Sequence, residues 1–136
     1  MAKRKALLVA TANYQGAGLP RLRAPLNDAE ALAAVLAEPD IGGYEITTVL
    51  DQPAPLVQRA VHRFLAQAGR DDELLLYFSC HGIKDYDEQL YFAGTDTEKD
   101  PELLESYAVP AAFVGRHLER SAARRKVLLL DCCFSG

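Results

Sequence analysis

The chain has 136 residues, of which 49% are hydrophobic and 25% are charged, and its formal net charge is -4. This composition fits one globular domain with enough apolar material for a core, and it excludes a disordered or collagen-like chain. The 19 acidic residues outnumber the 15 basic ones, so we expect no nucleic-acid partner. The longest apolar run, 31–37, is far shorter than the roughly 18 residues of a membrane span, so we expect no membrane partner.

The first residues imitate a secretory signal, because three basic side chains precede a short apolar run and an Ala-Thr-Ala sequence. The same apolar run predicts a central strand, which cleavage would remove, so secretion is the weaker interpretation. Three cysteines, two of them adjacent, make a poor disulfide framework for a secreted protein. We therefore expect a cytoplasmic protein in a reducing compartment.

Strand-like and helix-like patterns alternate along the chain. In chain order they predict a buried strand over 5–12, a helix over 26–36, a strand over 44–50, a helix over 57–68, a buried strand over 72–80, a hairpin within 83–94, a helix over 110–118 and a strand over 127–131. Gly82 is expected to end the third strand, and the acidic segment around Asp87 and Glu88 is expected to be a solvated loop. The alternation predicts an α/β domain with a mainly parallel sheet.

The reactive side chains follow the predicted strands. His81 comes after the third strand, and a cysteine, either Cys132 or Cys133, comes after the last one. Chemistry in such sheets gathers beyond the carboxyl ends of the strands, so we expect the two side chains to meet at one rim. An imidazole there can hold a cysteine as thiolate and later protonate a leaving amine, while Gly82 lets a backbone N–H approach an oxyanion.

Other interpretations of these residues compete with catalysis. A cysteine at a strand end is often only a buried packing residue. Cys80, His81, Cys132 and Cys133 also have the chemistry of zinc ligands, but neighbours on a strand point to opposite faces, which disfavours convergence on one ion. No phosphate-binding loop motif is present in the sequence, so nucleotide binding has no support.

Three motifs resemble those of a known family. The sequence Tyr-Phe-Ser-Cys-His-Gly at 77–82 resembles the Tyr-Ser-Gly-His-Gly strand end of metacaspases and other caspase-like cysteine peptidases. Asp-Cys-Cys-Phe-Ser-Gly at 131–136 resembles their Asp-x-Cys-x-Ser-Gly box, and Asn-Asp-Ala at 27–29 is similar to their Asn-Asp-Ala element. The motifs occur in the family's order and look most like those of bacterial members, especially from actinobacteria. The resemblance implies a caspase-like three-layer sandwich in which residues 1–136 form the large-subunit portion of the peptidase domain.

The resemblance also implies roles for individual residues. Cys133 would be the nucleophile and His81 its general acid and base, with the backbone of Gly82 and Cys133 around the oxyanion. The substrate residue before the scissile bond would enter a pocket lined by Asp28, Ser79 and Asp131. Two carboxylates in that pocket would select Arg or Lys.

The sequence departs from the family pattern in several places. Cys80 replaces the usual glycine before the histidine, and its thiol adds a possible redox liability. Caspases use an arginine to accept a substrate Asp, but Arg21 and Arg23, a few residues before Asp28, do not match the position of that arginine well. The aspartate pair of a metacaspase calcium site is missing near 109–110, so we expect no cofactor, and calcium activation is possible but unsupported. The sequence ends at the cysteine box, so the small-subunit part of the fold is expected to come from another segment of the same precursor.

These arguments predict a cysteine endopeptidase that hydrolyses peptide bonds after Arg or Lys through an acyl-thioester intermediate. Its substrate would be a protein or peptide. Two alternatives remain open: a catalytically silent caspase-like regulatory or scaffold module, and a caspase-like peptidase that prefers an acidic residue before the scissile bond.

Overall fold

The computed structural model describes residues 2–16 and 18–134, and only the backbone of Phe134. Strands and helices alternate through most of the chain. They are β1 (Arg4–Ala10), α1 (Pro25–Ala37), β2 (Glu45–Leu50), α2 (Ala54–Ala66), β3 (Glu73–Lys84), β4 (Leu90–Ala93), α3 (Leu104–Tyr107), β5 (Ala108–Pro110), α4 (Ala111–Arg120) and β6 (Arg125–Phe134). Within the described ranges, no helix is both long enough and apolar enough to cross a membrane.

The strands form one open, mixed sheet in the order β2-β1-β3-β4-β5, and β6 pairs with β3 outside that path. The pairs β1/β2, β1/β3 and β3/β6 are parallel, whereas β4 and β5 join by antiparallel pairing. Gly82 is in register with both Phe92 of β4 and Phe134 of β6, so these two strands occupy opposite edges of β3. The mainly parallel α/β sheet predicted from the sequence is confirmed.

Helices cover both faces of the sheet. Helix α1 packs on one face, where Ala29 meets apolar residues of β1 and β3. Helices α2 and α4 pack on the other face, where Val61 and Val114 share a cluster with Phe78. Successive side chains of a strand point to opposite faces, so odd-numbered residues of β3 project toward the α1 side and even-numbered ones toward α2 and α4. This alternation decides which side chains can meet beyond Ser79.

The structure corrects two strand boundaries. Gly82 does not end the third strand: β3 continues to Lys84 because 82–84 pair with β4. The last strand is also longer than predicted and runs from Arg125 to Phe134, since its ends pair with β3 from Glu73 to Gly82. In both places an available pairing partner extends a strand beyond its apolar run.

The acidic segment 85–105 begins with the turn around Asp87 and Glu88, which is exposed to solvent as expected. The predicted hairpin is confirmed, with β4 as its second arm, and α3 begins before the segment ends. Its acidic side chains bond to backbone: the Asp85 carboxylate accepts the N–H groups of Asp87 and Gln89, and Asp96 accepts that of Ala54. These carboxylates therefore shape turns and hold the segment against the start of α2.

Strand β6 lies at the edge of the sheet. Among the described residues it pairs with β3 alone, which leaves its other edge unpaired. Both of its faces are also open, since four successive apolar residues keep a third to a half of their surface: Val127 51%, Leu128 36%, Leu129 43% and Leu130 49%. An apolar edge strand of this kind is suited to pairing with a further strand.

Candidate active site

The parallel pairing of β3 and β6 places the two predicted catalytic residues side by side. His81 is in register with Cys133, and Ser79 is in register with Asp131. Partners in a parallel pair project from the same face of the sheet, and neighbouring strands are about 4.8 Å apart. His81 and Cys133 therefore lie together on the α1 side of the sheet, close to the end of β6.

The imidazole of His81 is buried, with 3% of the residue exposed. Its Nε2 atom lies 2.8 Å from the carbonyl oxygen of Pro20, in the segment that follows β1. A carbonyl only accepts hydrogen bonds, so Nε2 carries the proton in the neutral ring. In this tautomer Nδ1 carries no proton, so it is the ring nitrogen that can accept one. The Leu22 N–H donates to the carbonyl of Ala12 at 2.9 Å and holds the Pro20 segment in place.

Tyr14 supports the same histidine from the end of β1. Its hydroxyl donates to the carbonyl of Thr11 at 2.7 Å and accepts the backbone N–H of His81 at 3.1 Å. Its ring also lies against the imidazole, with the ring centroids 4.9 Å apart. Burial raises the pKa of Tyr14 far above its ordinary value, so the hydroxyl keeps its proton and its donor role.

Asp51 fixes the turn that carries Tyr14. Its carboxylate accepts the backbone N–H of Ala12 at 2.8 Å, the backbone N–H of Asn13 at 3.1 Å and the Asn13 side-chain amide at 2.6 Å. Burial alone would raise the pKa of Asp51, but these hydrogen bonds outweigh it and hold that pKa below its usual value. The residue has a left-handed φ of 49°, which Asp tolerates better than most side chains.

A cavity of about 220 Å³ opens beside Cys133. It contains the three residues predicted to hold the substrate side chain, together with the predicted nucleophile. The lining consists of Leu22, Arg23, Ala24, Pro25, Asp28, Ser79, Asp131 and Cys133. Asp28 comes from the first turn of α1, whereas Ser79 and Asp131 come from paired positions on β3 and β6. The carbonyl-bonded His81 is not part of this lining.

Sequence reasoning missed Tyr77. Burial raises the pKa of its hydroxyl, a hydrogen bond with Ser79 acts in the opposite direction, and the negative charges of Asp131 and Asp28 raise the pKa further. A neutral phenol therefore faces the two carboxylates of the cavity. The signal was present in the sequence, because Tyr77 and Ser79 are two residues apart and share one face of the strand.

Arg23 is the second residue of the cavity that sequence reasoning set aside. Its offset does not match the caspase arginine, but the structure places it in the lining next to the two carboxylates. The cavity therefore combines two anionic groups with one guanidinium.

A larger cavity, of about 280 Å³, lies near the other end of β1 and β2. It is lined by Lys5, Leu7, Glu45, Thr47, Ala60, Arg63, Phe64 and Gln67, which include no cysteine or histidine. The smaller cavity is the better candidate for the predicted chemistry because it alone of the two is lined by a cysteine.

The zinc interpretation is opposed by the same alternation that assembles the dyad. Cys80 and Cys132 are paired in register but project from the opposite face to His81 and Cys133. Over the part of the chain that the structure describes, no three His, Cys, Asp or Glu side chains are grouped as a metal site would require.

Comparison with known proteins identifies the family. The family model of the caspase domain matches residues 3–136, so the chain belongs to the caspase-domain family. That family is one of cysteine peptidases, and the membership supports a caspase-like fold for this chain. A search of curated proteins gave no significant match.

The chain is also similar to the crystal structure of a protein from Geobacter sulfurreducens, with a TM-score of 0.75 and 21% sequence identity. The match covers 98% of this chain and 52% of the other one, so the chain spans about half the length of that structure. At this level of identity the likeness concerns the fold alone.

Proposed function

We propose that this chain is the large-subunit portion of a bacterial, cytoplasmic cysteine endopeptidase of the metacaspase type, which cleaves after Arg or Lys. One observation carries the proposal. The register of β3 and β6 sets His81 beside Cys133, and Cys133 lines a cavity that also contains Asp28 and Asp131.

The reaction follows from the orientation of His81. With Nε2–H bonded to Pro20, Nδ1 takes the proton of the Cys133 thiol, and the thiolate attacks the substrate carbonyl carbon. The backbone N–H groups of Gly82 and Cys133 stabilise the oxyanion. His81 then protonates the leaving amine as the C–N bond breaks, which leaves an acyl-thioester. Water deprotonated by His81 attacks the thioester and releases Cys133, so the chemistry needs no cofactor.

The charge of the cavity supports the preference for a basic residue. Asp28 and Asp131 contribute two negative charges against the single positive charge of Arg23, and the Ser79 hydroxyl adds a neutral hydrogen-bonding group. A cavity with a net negative charge binds the guanidinium or ammonium group of Arg or Lys more favourably than a carboxylate.

The presence of Arg23 in the lining favours one second candidate, a caspase-like peptidase with acidic preference. In that case Arg23 would pair with the carboxylate of a substrate Asp and outweigh Asp28 and Asp131. The substrate panel described below distinguishes the two.

The proposed enzyme needs a partner segment. In the part of the chain that the structure describes, strand β6 has an unpaired edge and an exposed run of apolar side chains. A small-subunit segment of the same precursor would add strands there and complete the substrate site. The nucleophile lies at the end of this strand, so pairing along β6 would also fix the position of Cys133.

The experiment uses the complete gene product with reporter peptides that carry Arg, Lys or Asp before the cleaved bond. We expect Arg and Lys reporters to be cleaved, and Cys133→Ala to lower kcat/KM by at least about 1,000-fold because the nucleophile is lost. Cys132→Ala is the matched control, and it should retain most of the activity because its side chain faces away from the cavity. Loss of turnover with Cys132→Ala but not with Cys133→Ala would refute the assignment.

The same panel tests the pocket. Asp131→Asn should lower kcat/KM for the Arg reporter by roughly 10- to 100-fold, because a hydrogen bond loses its charged partner. Preferential cleavage of the Asp reporter, abolished by Arg23→Ala, would instead establish the acidic alternative. Folded protein that turns over none of the reporters would favour a regulatory or scaffold module.

A further inference from the structure

A second pair of cysteines lies directly behind the candidate dyad. Cys80 precedes His81 on β3, Cys132 precedes Cys133 on β6, and the two are in register. Their Sγ atoms are 3.9 Å apart, and both thiols are free. They project toward the α2 and α4 side, where Cys80 is 1% exposed and Cys132 packs against the same cluster from a half-buried position. The proposed peptidase chemistry uses neither of them.

The backbone at this pair suits a disulfide. Neighbouring strands are about 4.8 Å apart, which lies within the range of roughly 4.4–6.8 Å between Cα atoms of bonded cysteines. The two sulfurs have to approach by roughly 2 Å, to the S–S bond length of about 2.05 Å, and side-chain rotation can supply a movement of that size. Cys133 is less well placed for Cys132, because adjacent residues of a strand point to opposite faces.

The two thiols differ in reactivity. Either sulfur can donate this hydrogen bond; with Cys80 as the donor, the hydrogen bond and burial raise the pKa of Cys80. Accepting that hydrogen bond lowers the pKa of Cys132. The half-buried Cys132 is therefore the sulfur that an oxidant reaches as thiolate, and the buried Cys80 is placed to react with it next.

We propose that Cys80 and Cys132 form a cross-strand disulfide when the protein meets a peroxide. The Cys132 thiolate attacks one oxygen of hydrogen peroxide, the O–O bond breaks, and hydroxide leaves to become water. The sulfur of Cys80 then attacks the resulting sulfenic acid, the S–O bond breaks, and the oxygen departs as a second water with the thiol proton. Two thiols are oxidised and one peroxide is reduced.

The Cys80–Cys132 disulfide would cross-link β6 covalently to β3. Strand β6 is an edge strand with exposed apolar residues, and the cross-link joins it to β3 one position before both His81 and Cys133. It closes a long loop of the chain and so restricts the unfolded state. Because both sulfurs face away from the cavity, the dyad keeps its own face of the sheet.

The test uses the Cys133→Ser variant, in which the exposed third thiol cannot compete. Hydrogen peroxide should remove two hydrogen atoms from the intact mass without adding oxygen, and non-reducing peptide mapping should join the peptides that contain Cys80 and Cys132. The thermal midpoint should rise by about 5–10 °C, and dithiothreitol should reverse the rise. Cys132→Ser in the same background is the matched control and should show neither change. Cys80→Ala in that background is a second control, because it removes the buried thiol without introducing a hydroxyl.

Three results would overturn the proposal: sulfinic acid accumulating at Cys132 in the Cys133→Ser protein, cross-links only between molecules, or bonds to Cys133 in the parent protein. None of these measurements depends on peptide cleavage. Failure of the cross-link is therefore distinguishable from failure of the proposed peptidase function.

Discussion

His81 is held by residues that take no part in the proposed chemistry. The Pro20 carbonyl fixes which ring nitrogen carries the proton, the Tyr14 hydroxyl accepts the histidine's own backbone N–H, and Asp51 anchors the turn before Tyr14. The sequence places Asn13 and Tyr14 at a strand end, but it does not reveal a hydrogen bond that joins positions 14 and 81. Such contacts depend on the register of β1 against β3, which the order of residues alone does not determine.

Tyr14→Phe tests whether the hydrogen bond between the Tyr14 hydroxyl and the His81 backbone N–H positions His81 for its role as the base. The substitution keeps the ring against the imidazole but removes the acceptor of the buried His81 N–H, so the free energy of unfolding should fall by about 1–3 kcal/mol. In the complete gene product, kcat for the Arg reporter should fall several-fold with KM nearly unchanged, because the substrate cavity does not include Tyr14. Urea unfolding and steady-state kinetics measure the two effects.

The control for this substitution is Tyr86→Phe, since Tyr86 is 79% exposed and far along the chain from β1. It should change stability by no more than about 0.5 kcal/mol and leave kcat as it was. If Tyr14→Phe raised KM and left kcat intact, Tyr14 would have to act on substrate binding, and its role in positioning His81 would be refuted.

At the scale of elements, apolar runs and helical periodicity predicted every long strand and helix. They could not predict where β3 and β6 end, because both strands continue past their apolar runs as far as a neighbouring strand pairs with them. They also missed α3 and β5, which have only four and three residues and so carry too short a pattern. The hydrophobic pattern of the sequence therefore predicts that a strand exists, whereas pairing with a neighbouring strand determines where it ends.

Gly94 and Gly115 differ in the space around them, so replacing each by alanine measures how tightly the neighbouring backbone packs. A Cβ built on Gly94, just after β4, would lie 2.6 Å from the backbone nitrogen of Ala54 and 3.0 Å from the carbonyl oxygen of Gln52. Gly94→Ala should therefore lower the free energy of unfolding by about 1–3 kcal/mol, because backbone has to move. On α4, a Cβ at Gly115 meets nothing within 4 Å, so Gly115→Ala should raise stability by about 0.5–1 kcal/mol through helix propensity. Urea denaturation of both variants checks the pair, and a Gly94→Ala protein as stable as the parent would show that the turn before α2 can shift freely.

At the scale of the whole molecule, the alternation of strand and helix patterns predicted an α/β domain, and the motifs predicted the caspase-like fold that the family match supports. For the candidate site, the residues Asp28, Ser79, Asp131 and Cys133 were all chosen from motifs, and the structure brings them to one cavity. The motifs gave no site role to Arg23, which lines that cavity, or to Tyr77, whose hydroxyl lies close enough to Asp28 and Asp131 for their charges to raise its pKa. The chain spans about half the length of the Geobacter sulfurreducens structure, and β6 is one of the strands that pair with a single neighbour within the described ranges.

The open edge of β6 predicts a pattern of hydrogen exchange. Alternate backbone N–H groups of a parallel edge strand point toward its one neighbour, and the others point into solvent. In the 136-residue chain, alternate amides within 127–133 should therefore exchange rapidly, whereas those of β3 over 75–79, between β1 and β6, should be protected. If a small-subunit segment pairs with β6, the rapid set should slow by at least about 100-fold in the complete gene product, while the β3 amides serve as the internal control. Exchange that stays equally fast along β6 in the complete product would place the partner segment elsewhere on the molecule.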